Sequence, residues 1–169
     1  MSAAVAVPGA ERWVRGPTAA ATPSPPQAVV PSGLPITWMG AHGGAGATSL
    51  ARALGGADPG VRWPDVRRGE PRQVLAVART HSAGIQAASA VLDAMRLGNH
   101  PEGVHLLGLV LVADAPGRLP VKLAHRVRIL GSAACVHRVP WIPSWRVGGR
   151  TAHLPREVLA LADLVNGAS

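Results

Sequence analysis

The chain has 169 residues, a formal net charge of +8, one cysteine, five Trp and no Phe or Tyr. That length suits one domain with a tail and is enough to bury a core. A lone cysteine excludes an internal disulfide and a cysteine metal cluster, and the lack of about 18 uninterrupted apolar residues excludes a membrane-spanning helix.

Residues 1–33 are rich in Ala, Pro, Gly and Val and include "TPSPPQAVVPSG". Proline at that density removes backbone donors and favours an extended, solvated chain. This part reads as a disordered tail, in which Trp13 within "ERWVR" is an incidental residue. The N-terminus lacks a basic region leading into a long apolar run, so it is a poor secretory signal and a cytoplasmic location is expected.

The pattern changes at Pro35. "PITWM" is a short apolar strand that runs into "GAHGGAGATS", and "TSLARALG" opens a helix closed by Gly55. Residues 56–72 hold three prolines and no usable period, and read as an irregular linker. "QVLAVAR" (73–79) is a buried strand. Ser82 is the expected cap of the next helix, whose apolar face holds Ile85, Ala88, Leu92 and Met95 and which Gly98 ends. "VHLLGLVLVAD" (104–114) is a second continuous apolar strand. Pro120 starts a helix with Leu123, Val127 and Leu130 inward, and Gly131 is expected to stop it. "CVHRVPWI" is a last strand. A final helix from near Pro155 carries Val158, Leu161, Ala162 and Val165 on one stripe. Continuous apolar strands alternating with amphipathic helices predict an α/β domain over 34–169, with a small, mostly parallel sheet of about four strands.

The glycine stretch carries the chemistry. A loop between a strand and a helix presents free backbone N–H groups to an anion, and glycines let the backbone curl around phosphates. In a working phosphate loop a Lys neutralises the terminal phosphates and a Ser or Thr holds Mg²⁺. Here His42, Gly43, Gly44, Ala45, Gly46, Ala47, Thr48 and Ser49 form the candidate cradle, with Thr48 in the position of the magnesium hydroxyl and Ala47 in that of the lysine.

"AHGGAGATS" resembles the deviant Walker A loop of the ParA/MinD family of ATPases, whose pattern is Lys-Gly-Gly-x-Gly-Lys-Thr-Thr/Ser. Both family lysines are replaced, by His42 and Ala47. The segments "VLAVARTHSAGIQAASAVLDAM", "LLGLVLVADAPGRLP" and "VHRVPWIPSWR" resemble later parts of that family, so the likeness spans about residues 34–148. It implies a P-loop NTPase-like, Rossmann-like three-layer fold. It also implies that 56–72 replaces the strands carrying the catalytic half of the sheet, including the one that ends in a magnesium aspartate. The blocks "GAHGGAG", "VADAPGRLP" and "PWIPSWR" further resemble a small actinobacterial family often found on mobile or plasmid-like elements, for which no activity is established.

Asp114 ends the apolar run "LVLVADAPG" and is open to two readings. It is the magnesium aspartate in a rearranged order if the first strand pairs with 104–113. It lies beside a base or ribose, or caps a turn, if 73–79 intervenes. Arg79, which with Thr80 and His81 follows a strand at the carboxyl edge, and Arg118 are candidates for the missing countercharge. Trp141 and Trp145 are expected to pack against a loop, and Cys135 with His137 lacks the further ligands of a metal site.

Three functions follow as expectations. The first is a non-hydrolysing, P-loop-like binding or regulatory protein, with ATP and Mg²⁺ held weakly or not at all. A protein partner or self-association would cover the edge of its reduced sheet. The second is an ATPase with charges relocated to Arg79, Arg118 and Asp114. The third is a nucleic-acid-binding accessory using the arginine excess, although no recognition-helix motif is present.

Overall fold

The computed structural model describes residues 36–149 and 153–167. The Ala/Pro-rich segment with Trp13 lies outside the described residues.

Four strands form one all-parallel sheet whose spatial order is the chain order: β1 (Ile36–Gly40), β2 (Gln73–Arg79), β3 (His105–Val112) and β4 (Val136–Val139). The helices are α1 (Ala47–Leu54), α2 (Ser82–Arg96), α3 (Val121–Ala133), α4 (Pro143–Arg146) and α5 (Arg156–Gly167). The α/β expectation and the strand positions agree with this arrangement.

Strand alternation divides the core into two layers. Leu75, Val77, Val110 and Val112 face one side, where they meet Leu50 of α1 and Val158, Leu161 and Val165 of α5. Val74, Ala76, Ala78, Leu109 and Leu111 face the other, against Ile85 and Ala88 of α2 and Val127 and Leu130 of α3. Both faces of the central strands are covered, which is why they read as continuous apolar runs. Each fully buried Leu or Val contributes about 1.5–3 kcal/mol relative to exposure.

Two sequence expectations about helix ends fail. Ser82 is the first residue of α2, and the cap is His81, whose Nδ1 accepts the Gly84 N–H at 3.0 Å. Gly131 does not stop α3, which runs on to Ala133 with its last bond from Ala134 N–H to Leu130 O. An exposed glycine costs about 1 kcal/mol within a helix, and burial of Val127 and Leu130 outweighs that.

The linker is the larger correction, because it is bridged to β1. Ala57 forms a parallel bridge with Thr37 on the side of β1 away from β2. Ala57 N–H donates to Ile36 O, Trp38 N–H to Ala57 O and Gly40 N–H to Gly60 O, each at 2.8 Å. The outer edge of β1 is therefore occupied by residues 57–60 of the same chain. From there the chain crosses to the other face, where Trp63 and Val66 pack on the α2/α3 layer. Thr37 Oγ1 donates to Pro71 O at 2.8 Å just before β2 begins.

This route reconciles handedness. Helices α2 and α3 lie on one face and join strands advancing in one direction. Helix α1 lies on the opposite face and joins β1 to a segment advancing in the reverse direction. Reversing both face and direction preserves the hand, so all these crossovers share the one that parallel sheets favour.

Candidate functional site

Successive connections leave β1 and β2 on opposite faces of the sheet, so their carboxyl ends form a switch point, the position of the ligand crevice in open α/β sheets. The glycine loop follows β1 into this crevice, and Arg79–His81 follow β2.

The loop is curled. Ala45 N–H donates to His42 O at 3.3 Å, and Gly44 and Gly46 have φ of 74° and 105°, a region that side chains rarely enter. Gly43 and Gly44 are exposed, with open space where a Cβ would stand. Helix α1 opens directly behind, and no side chain caps its first amides. Gly46 rests against Val112 of β3, so the loop leans across the end of β2. Ala45 and Ala47 turn their methyl groups into the core beside Leu50. Both residues are buried, and the apolar packing around Ala47 leaves no charged side chain at that position.

His42 does not face the open side of the loop. Its Nε2 accepts the Arg79 N–H at 3.0 Å and its Nδ1–H donates to Gly43 O at 2.8 Å. Those two bonds fix one tautomer and tie the loop to the end of β2. The His81 ring lies 5.1 Å from it, centroid to centroid.

The cation that does reach the loop is Arg79. Its Nε donates to Gly44 O at 3.2 Å and its Nη1 to Ala113 O at 3.0 Å. Half-burial lowers its pKa from the usual value, the Asp114 carboxylate opposes that, and Arg146 adds to it. The group stays cationic, and three of its five N–H donors remain beyond those two carbonyls. Thr80 is buried, and its Oγ1 accepts the Asp114 N–H at 3.1 Å.

Because β1 pairs with β2, Asp114 lies one strand beyond β2. It does not occupy the position of a magnesium aspartate beside the loop. Arg118 is exposed and makes no hydrogen bond to the loop among the described residues.

Asp58 holds the place beside Thr48 that Asp114 does not reach. Thr48 Oγ1 donates to its carboxylate at 2.5 Å, and the Gly60 N–H holds the second oxygen at 3.0 Å. Asp58 directly follows Ala57, the one residue bridged to β1. Sequence reasoning misses this aspartate because the strand before it is too short to give an apolar run. The available signal is "GADPG", which repeats the Ala-Asp-Pro-Gly character of "VADAPG".

Trp141 lies under the Arg146 guanidinium, 5.1 Å from the ring centroid, and Trp145 packs on the α1/α5 layer, as expected for a loop anchor. Cys135 Sγ lies 3.4 Å from His137 Nε2, and burial lowers the His137 pKa. No group of three or more His, Cys, Asp or Glu suited to a metal occurs among the described residues.

The sequence matches, over residues 35–161, a family described as a family of unknown function, DUF6668. The chain belongs to that family. No curated protein and no solved structure matches it. The DUF6668 match takes in the glycine loop, the bridged segment with Asp58, Arg79 and Asp114. None of the helices described in this DUF6668 chain is long and apolar enough to cross a membrane.

Proposed function

We propose that the protein is a phosphate-binding module of P-loop-like, ParA/MinD-like descent, in which the glycine loop and the first amides of α1 hold the phosphates of a nucleotide. The observation that carries this reading is the strand-loop-helix turn with its exposed glycines and an arginine drawn onto it from the neighbouring strand. Oriented amides favour an anion, and Arg79 restores part of the countercharge that Ala47 cannot give. The missing lysine makes binding weak and leaves the protein a binding or regulatory module.

Magnesium fits the residues present. A hydroxyl and a carboxylate in contact are hard oxygen donors, and Mg²⁺ takes one or two protein oxygens together with waters and phosphates. Thr48 and Asp58 would hold it, where it would neutralise phosphate charge. That same pair favours a second reading, a slow ATPase whose magnesium aspartate is Asp58.

Calorimetric titration with ATP and Mg²⁺ tests the first reading, and phosphate release tests the second. Measurable heat of binding that Arg79→Ala weakens about tenfold or more is expected, since a hydrogen bond to a charged group is worth about 1.5–3 kcal/mol. Absence of binding removes both readings. Release of phosphate that Asp58→Asn abolishes selects the ATPase.

A further inference from the structure

The net charge is not spread along the chain. Between Asp114 and Glu157 there are eight Arg or Lys and no Asp or Glu, so this stretch alone accounts for the formal +8. Its most regular element is α3. That helix buries Val127 and Leu130 against the sheet and leaves Lys122, His125, Arg126 and Arg128 exposed. Within the helix Lys122 and Arg126 stand one four-residue step apart, and Arg118, also exposed, lies in the turn just ahead of it.

The surroundings do not neutralise this face. Helix α2, which packs beside α3, has Asp93 as its one acidic residue, and Arg96 is within 3.7 Å of that carboxylate. The contact from α2 to the cationic row is neutral: Arg126 Nη1 donates to Ser82 Oγ at 3.3 Å. No carboxylate pairs with Lys122, Arg126 or Arg128 among the described residues. A shallow groove of about 650 Å³ runs along the same face, lined by Leu119, Lys122, His125, Arg126 and Arg128.

We infer that the solvent face of α3, with Arg118, is a docking surface for the phosphate backbone of duplex DNA. An unpaired cationic row on a rigid helix complements a regularly spaced polyanion. A four-residue step places Lys122 and Arg126 about 6 Å apart along the helix, so that two cations held by the helix can contact one run of phosphates. The cations contact phosphates, so the surface binds without reading sequence. An anionic membrane fits less well. The large apolar residues exposed on α3 are Val121 and Ile129, eight positions apart, and the opposite stripe of the helix is committed to the core. A helix held that way cannot lay a continuous apolar face into lipid.

The test uses the full chain and a fluorescent duplex of mixed sequence, followed by anisotropy over a range of salt. Wild-type protein is expected to bind at low salt, with log affinity falling linearly against log salt concentration. The combined variant Lys122→Glu/Arg126→Glu/Arg128→Glu should bind at least tenfold more weakly. Lys122→Gln/Arg126→Gln/Arg128→Gln should reduce the slope by about 2–3, at about 0.9 for each phosphate left without its cation. Arg52→Glu, an exposed charge change on α1, should match wild type in DNA binding. Circular dichroism checks that the variants fold, and the Gln set keeps the test decisive should the Glu set misfold. No DNA binding by wild type at low salt overturns the inference. So does unchanged binding by the Gln set, or binding to phosphatidylserine vesicles without binding to DNA. Nucleotide titration of the same variants is expected to be unchanged, so this inference stands or falls apart from the glycine-loop reading.

Discussion

At the scale of single residues the crevice depends on close approach. Gly84 is the clearest case. A Cβ there would stand 2.2 Å from Arg79 O and 3.0 Å from His42 Nε2. Its N–H is also the one that His81 caps. Gly84→Ala should therefore push α2 off the end of β2 and destabilise the fold by about 1–3 kcal/mol, the usual cost of overpacking. Chemical denaturation would show this as a lower midpoint with an unchanged slope. A variant as stable as wild type would mean that the loop and α2 are less tightly joined than the distances state. The sequence exposes part of this site. Thr48 and the glycines are legible because their spacing is local. The roles of His42 and Arg79 are not, because each is set by a partner about 35 residues away in the chain. Asp58 is hidden for a different reason: its strand is a single bridged residue and offers no hydrophobic period.

At the scale of elements the linker is the informative part. Strands β2 and β3 and the stripes of α2, α3 and α5 are readable because burial on both faces, or on one stripe, imposes a period. Segment 57–72 has no period, since it is held by hydrogen bonds and charges. Arg62 pairs with Glu70 through two hydrogen bonds, and the Asp65 N–H also donates to Glu70. The Arg62 hydrogen bond, then the Asp65 N–H, lowers the Glu70 pKa to about 2. A depressed carboxylate stabilises the fold above its unfolded pKa, and that contribution is lost as pH falls through the folded value. The linker should therefore loosen between about pH 4.5 and pH 2, and Trp63, packed within it, should report the change by fluorescence. Glu70→Gln should remove that transition. If the same acid transition persists in Glu70→Gln, the pairing does not hold the linker.

For the whole molecule, the fold assembles three features at one pole. Parallel strands bring the glycine loop and Arg79 to the carboxyl edge, and the segment bridged to β1 through Ala57 adds Asp58 beside Thr48. The outer side of β1 is bonded by residues 57–60 of the same chain. Removing the Asp58 carboxylate should affect binding and leave folding intact: Asp58→Ala should weaken magnesium-dependent nucleotide binding while changing stability little, because the carboxylate is exposed. Thermal denaturation of the variant beside nucleotide titration separates the two. Equal binding with and without magnesium in wild type would count against a role for this pair.

The most direct measurement is amide resonance mapping of the isotope-labelled protein as ATP and Mg²⁺ are added. Shifts are expected to concentrate on the amides of Gly43 to Ser49, with Arg79 following at its side-chain Nε–H. Shifts centred elsewhere, or none at millimolar nucleotide, would contradict the glycine-loop reading.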